Sequence, residues 1–212
     1  MKPAEKKLAI FDFDGVISDS FEYCLKINQK MQPHMTADDY RELFEGNFYE
    51  SLCKFADKET IGPEYQSTYW NHFVERMDDI FLVDGIKDVL HKLSSLYNLV
   101  IVSSSDSEII KTILKREHLE PLFGKIYGSD AHQSKHKKFQ MIFEEFGASP
   151  CDCIFVTDTL GDLIEAETAD IESIAVSWGF HDAKTLERGK YKSMIHKPDE
   201  LIQEINNHFD KE

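Results

Sequence analysis

FDFDGVISDS, residues 11–20, follows the apolar run Leu8-Ala9-Ile10-Phe11 and sets two aspartates, Asp12 and Asp14, one residue apart ahead of Gly15. The order is that of a strand, a carboxylate pair and a tight turn. Side chains alternate along an extended chain, so Asp12 and Asp14 fall on the same side at the strand's carboxyl end. Two carboxylates held that close repel one another unless a cation lies between them, and a hard divalent ion with oxygen ligands is expected. Ordinary surface strands also end in Asp-Gly turns. The functional reading therefore depends on whether other strand ends supply matching groups.

Downstream of Asp84-Gly85 strand and helix patterns alternate. Ile86, Val89, Leu90, Leu93 and Leu96 make an amphipathic helix, and Asn98 to Val102 is a short apolar run suited to a strand buried on both faces. Helical patterns at Ser105–Glu117, Lys135–Phe146, Gly161–Thr168 and Leu201–Phe209 alternate with strands at Lys125–Gly128, Cys153–Thr157 and Ser173–Ser177. Repeated β-α units predict an α/β fold with a doubly wound parallel sheet and right-handed crossovers.

Between the first strand and Leu82 the pattern is helical throughout. Phe21, Cys24 and Leu25 fall at helical spacing, and Thr36 is the expected N-cap of a helix with Asp39 in its first turn. Further helices are expected over Phe48–Phe55 and Tyr65–Ile80. Residues 20–82 are predicted to form an inserted all-helical cap, with residues 1–19 and 83–212 as the α/β core. The aromatic stripes of this insertion, Tyr40 with Phe44 and Tyr69 with Phe73, are read as core rather than ligand contacts. Arg41, Glu45, Asn47, Tyr49, Lys54 and Arg76 are its polar candidates for recognition, without a spacing that names a ligand.

In an open parallel sheet a ligand binds beyond the carboxyl ends of the strands. Asn98–Val102 is followed by Ser103, Ser104 and Ser105. Ser105 with Glu108 has capping-box spacing, which leaves Ser103 and Ser104 to hold phosphate at a helix N-terminus or to form a serine-rich turn. Cys153–Thr157 is followed by Asp158 and Asp162, with Gly161 between them for a tight turn before the helix. Asp162 has an alternative as that helix's N-cap; Asp158 has none. A second acidic pair points to magnesium. The cations Lys135, Lys137 and Lys138 stand at a helix start, where the dipole disfavours them unless they meet an anion. Lys135 directly follows a plausible N-cap, Ser134. His132 and His136, four apart, have a weaker case as metal ligands.

The 212 residues, 42% of them apolar, are enough for one domain with an insertion. An excess of 39 acidic over 24 basic residues, net charge -15, opposes binding to nucleic acid or anionic membranes. With no apolar run of spanning length or signal type, a cytoplasmic location is expected. Cys24, Cys53, Cys151 and Cys153 are too few for a disulfide framework.

FDFDGVISDS, VIVSSS, the Lys135 region and FVTDTLGD together resemble the four motifs of the haloacid dehalogenase superfamily, specifically its phosphoglycolate phosphatase-like members with a helical cap. The resemblance implies a magnesium-dependent phosphatase acting on a small-molecule phosphate monoester, with Asp12 as nucleophile and Asp14 as general acid and base. Ser103 and Lys135 would bind the transferring oxygens, with Gly15 and Ser104 also at the phosphate. Asp12, Asp14 through its backbone carbonyl, Asp158 and Asp162 would hold or support Mg2+. The second aspartate favours phosphate chemistry over dehalogenation. Two departures stand out: proline does not follow the lysine, and Thr157 occupies a place where glycine is commoner. A phosphomutase shares this pattern, and a phospho-aspartate signalling module shares the chemistry, although it lacks a cap after the first strand.

Overall fold

The computed structural model describes residues 7–55, 63–75 and 77–210. In chain order the elements are β1 (Leu8–Phe11), β2 (Ser18–Asp19), α1 (Phe21–Met31), α2 (Ala37–Glu42), α3 (Phe48–Phe55), α4 (Pro63–Glu75), β3 (Phe81–Leu82) and α5 (Ile86–Ser94). They continue with β4 (Asn98–Val102), α6 (Ser107–Arg116), β5 (Phe123–Tyr127), α7 (Lys135–Phe146), β6 (Cys153–Thr157) and α8 (Leu160–Thr168). The last are β7 (Glu172–Val176), α9 (Ala183–Leu186), β8 (Ser193–Ile195) and α10 (Glu200–Phe209).

Six strands form one sheet in the order β5-β4-β1-β6-β7-β8, and every pairing is parallel. The near-continuous apolar character of the central strands follows from burial on both faces; every residue of β1 and of β6 is buried. Ala9, Phe11, Ile101 and Val156 pack into one layer with Leu90 of α5 and Ile110 of α6. Leu8, Ile10, Val100 and Phe155 point the other way, onto Phe139 and Ile142 of α7. Each of the large apolar side chains among them contributes about 1.5–3 kcal/mol relative to exposure.

After β1 the chain builds to β5 on one side and then crosses to β6 on the other, so the strand order reverses around β1. This is where an open α/β sheet has its ligand crevice. Register sharpens the point. Phe11 is level with Ile101 of β4 and Val156 of β6, so the segments that begin at Asp12, Ser103 and Asp158 leave the sheet side by side.

Helices α1 to α4 form the all-helical insertion. Thr36 caps α2 in a reciprocal box with Asp39, as the sequence suggests. The expected fourth helix ends at Glu75 and is followed by a 3-10 turn at Met77–Asp79. The chain enters and leaves the insertion through a strand pair absent from the sequence reading: β2 and β3 pair antiparallel, Ser18 with Leu82 and Asp19 with Phe81. Two residues per strand are too few to show an alternating pattern. β8 and α9 escape notice for the same reason.

Two local expectations are corrected. The N-cap of α6 is Asp106, whose side chain accepts from the Glu108 amide, and not Ser105. α8 begins at Leu160 after Thr159, so Asp162 is inside its first turn and Gly161 is helical rather than a turn residue. Among the described residues no helix is long and apolar enough to cross a membrane, and the four cysteines are unpaired.

Candidate active site

The end of β1 supplies Asp12. Its side chain is buried, its Oδ1 accepts from the Phe13 amide at 2.7 Å, and its Oδ2 lies 2.7 Å from Lys135 Nζ. Lys135 is the first residue of α7, after Ser134, whose hydroxyl caps the helix by accepting from the Lys137 amide. The same ammonium is 2.5 Å from Asp162 Oδ2. One buried cation therefore joins the carboxylate at the end of β1 to one in the first turn of α8, and this offsets the cost of a lysine at a helix N-terminus.

The three competing lysines separate cleanly. Lys137 is exposed and donates to Gln140. Lys138 is fully buried and donates to the Ser103 carbonyl at 2.5 Å. Residues 135 and 138 share a face of the helix while 137 points away, and of the first two only Lys135 reaches Asp12 and Asp162.

Asp14 turns to hydroxyls. Its Oδ1 accepts from Ser20 Oγ at 2.6 Å and its Oδ2 from Ser105 Oγ at 2.6 Å. Ser105, expected only to cap a helix, thus orients a site carboxylate. Ser103 is buried, with its Oγ accepting from the Ser105 amide at 3.0 Å, and the Ser104 carbonyl accepts from Tyr49 OH at 2.6 Å. Gly15, expected near the phosphate, is not among the residues that line the cavity described below. It has φ of 75°, and a Cβ there would lie 2.0 Å from Asp158 Oδ2. Its missing side chain is the space that Asp158 fills.

Asp158 is fully buried; Oδ2 accepts from the Phe180 amide at 2.7 Å, while Oδ1 is buried with no hydrogen-bond partner. Thr157 has a concrete role: its hydroxyl donates to Asp162 Oδ2 at 2.7 Å and accepts from the Thr159 amide. A glycine there could do neither.

Electrostatics follow from this packing. Burial raises the Asp12 carboxyl well above the usual range against the opposing pull of Lys135, and Asp162 and Asp158 raise it further. Burial likewise pushes Asp158 up to about 7 despite the Phe180 amide. At Asp162 the ammonium of Lys135 and the hydrogen bonds outweigh burial and hold the carboxyl below its ordinary value. Burial pulls Lys135 down, but Asp12 and Asp162 more than restore it, so it stays charged.

Of the four aspartates, Asp12 and Asp162 thus meet the ammonium of Lys135, while Asp14 is held by hydroxyls and Asp158 by the Phe180 amide. Among the described residues no three acidic, histidine or cysteine side chains converge as a ready metal cluster, because Lys135 stands between Asp12 and Asp162 and hydroxyls take up the Asp14 carboxylate. The remaining donors still fit a hard divalent cation. The partnerless Oδ1 of Asp158 is an oxygen ligand with no donor of its own, and the Asp12 carboxylate, paired with Lys135, offers a second, leaving Asp162 a supporting place through Lys135 and Thr157. His132 accepts from the Ser134 amide and His136 Nε2 meets Gln140, and among the described residues no cluster of three acidic, histidine or cysteine side chains forms around them.

A cavity of about 440 Å³ opens above Asp12, Asp14, Lys135 and Asp162. Its other wall comes from the helical insertion: Tyr40, Phe44, Phe48, Leu52 and Tyr69. Of the aromatic residues read as core, Tyr40, Phe44 and Tyr69 are therefore also lining while Phe73 is core alone, a distinction periodicity does not make. Conversely, four of the polar candidates hold the insertion to the core. Arg41 Nε donates to the Phe180 carbonyl and its guanidinium covers Phe21 at 4.3 Å. Glu45 forms a bidentate pair with Arg188, Asn47 Nδ2 donates to the Gln133 carbonyl at 3.3 Å, and Tyr49 meets Ser104 as above. Lys54 is exposed and Arg76 lies outside the described residues.

The haloacid dehalogenase-like hydrolase family matches residues 9–176. The chain belongs to that family and is an enzyme of the hydrolase class. Over 206 residues it is 25% identical to a phosphoglycolate phosphatase of Synechococcus elongatus, covering 92% of this chain and 95% of that protein. It is 22% identical to the pyrophosphatase PpaX of Bacillus pumilus, with 93% and 92% covered. Its fold superposes with a TM-score of 0.80 on a haloacid dehalogenase-like family hydrolase from Streptococcus pneumoniae at 24% identity, covering 93% of this chain and 97% of that one.

Proposed function

We propose that this protein is a magnesium-dependent phosphatase that hydrolyses a small-molecule phosphate monoester through an aspartyl phosphate on Asp12. The observation that carries the reading is the Asp12 carboxylate, fixed by the Phe13 amide and by Lys135 at the floor of the cavity. An anionic nucleophile attacks an anionic phosphoryl group only where positive charge is already in position.

In the first step Asp12 attacks phosphorus while Asp14 gives a proton to the departing alcohol. In the second, Asp14 takes a proton from water that attacks the phosphoryl group on Asp12, and inorganic phosphate leaves. Lys135 and the Ser103 hydroxyl hold the transferring oxygens. Asp12, the Asp14 backbone carbonyl and Asp158 would hold Mg2+, with Asp162 in support; the ion supplies charge neutralisation between carboxylate and phosphate. The cap, residues 20–82, closes on the core made of residues 1–19 and 83–212 and limits water during the first step. Its two crossings are the paired strands β2 and β3.

The test is phosphate release from a panel of monoesters with Mg2+, with Asp12→Asn as the blank and chelator as the metal control. Steady release that needs both Asp12 and the ion supports the reading. Isomer formation without free phosphate would make the chain a mutase, and a stable phosphoprotein without turnover would make it a switch.

A further inference from the structure

Resting on the phosphatase reading, we infer that the substrate is a monoester whose alcohol carries an apolar or aromatic body and no second anionic group. Among the described residues the cavity is lined by one cationic side chain, Lys135, and that charge is already matched to Asp12 and Asp162. The remaining charged residues on its wall are acidic: Asp14, Asp106, Asp130 and Glu165. Asp130 accepts from the amide and hydroxyl of Ser107, Asp106 from the Glu108 amide, and Glu165 from Ser134 Oγ. These neutral donors leave the negative charges in place.

A carboxylate on the leaving group would need a cation or free amides at a helix start. Six amides near the cavity are committed. Ser105 N is held by Ser103 Oγ, Ser107 N by Asp130 and Glu108 N by Asp106. At the start of α8, Thr159 N donates to Thr157 Oγ1, Leu160 N to His181 Nδ1 and Gly161 N to the Phe44 carbonyl. An anion entering this space would lose its water, meet no cation other than Lys135 among the described residues and face the like charges of Asp14, Asp106, Asp130 and Glu165.

The opposite wall favours a flat apolar group. Phe44 and Phe48 stack with centroids 4.8 Å apart, and Tyr40, Leu52, Tyr69 and Ile109 complete the surface. At roughly 30 Å³ per water in the liquid, a volume of about 440 Å³ is about fifteen waters. A two-carbon leaving group would fill little of it.

Three esters of the form X–CH2–OPO3 isolate the two features: ethyl phosphate with X a methyl group, 2-phosphoglycolate with a carboxylate, and benzyl phosphate with a phenyl ring. With wild-type protein and Mg2+, kcat/KM for benzyl phosphate should exceed that for ethyl phosphate by roughly tenfold or more, and 2-phosphoglycolate should fall below ethyl phosphate. Phe48→Ala should reduce the benzyl-to-ethyl ratio several-fold. Turnover of 2-phosphoglycolate at or above that of ethyl phosphate overturns the inference while leaving the phosphatase reading standing. Release from none of the three overturns the phosphatase reading instead; calorimetric affinities of the same esters then decide the cavity's preference, tighter benzyl phosphate supporting it and tighter 2-phosphoglycolate rejecting it.

Discussion

Lys135 Nζ stands 2.7 Å from Asp12 Oδ2, with both side chains buried at the point where the strand order reverses. Removing one member of such a pair leaves the other without its partner. Lys135→Met should lower kcat/KM by about 10²–10³ and destabilise the ion-free protein by about 3–5 kcal/mol. Because added positive charge relieves the same carboxylates, Mg2+ should raise the melting temperature of the variant more than that of the wild type. Equal shifts in thermal melts with and without the ion would remove Lys135 as the cluster's counter-charge.

Asp14 is oriented by Ser20 and Ser105 and faces the cavity. Asp14→Asn keeps an acceptor for one hydroxyl and loses the transferable proton. Turnover should fall by about 10²–10⁴, most steeply for esters with high-pKa alcohols. A rate series against leaving-group pKa checks this, and a uniform loss would count against the acid role.

Gly161 meets the insertion at backbone distance. Its amide donates to the Phe44 carbonyl at 2.8 Å, and a Cβ would lie 2.2 Å from the Gly46 carbonyl oxygen. Alanine suits the helix itself, by up to about 1 kcal/mol, so Gly161→Ala should leave the core folded while holding residues 44–46 away from it. The expected result is lower kcat/KM, with faster amide exchange in α2 and α3 and unchanged exchange in β1 and β6. Wild-type exchange throughout would show that the close approach is not needed.

Lys138 lies buried beneath Ser103, and burial, with the neighbouring Lys135, pulls its ammonium down to about 7 from an ordinary 10.5. Between these values the unfolded chain holds a proton that the folded chain has released, so stability rises with pH across that window, by up to about 1.4 kcal/mol per unit. Lys138→Met should flatten the rise. Denaturant unfolding of both proteins from pH 6.5 to 10 measures it; parallel curves would mean that Lys138 stays charged when buried.

What the sequence determined is tied to short-range pattern. Runs such as LAIF and CIFVT are buried on both faces and read as central strands. The helices at Phe21, Ala37 and Phe48 follow from apolar spacing, reinforced at Ala37 by the Thr36–Asp39 box, and Asp12, Asp14, Asp158 and Asp162 follow from their position after strands. Ser105 misled because a box with Glu108 and a cap by Asp106 differ by one residue, and the choice depends on where Ser105 turns to meet Asp14.

Tertiary structure alone decided the remainder, because it concerns distances between segments remote in sequence. Lys135 and Lys138 share a helix face and are chemically alike; only the seating of α7 against β1 gives one of them Asp12 and Asp162 and the other the Ser103 carbonyl. Phe44 and Phe48 have the spacing of core residues, and only the docking of the insertion over Asp12 turns part of their surface into a cavity wall. Periodicity reports that a side chain leaves water. What it meets there, protein or substrate, is fixed by how the elements pack.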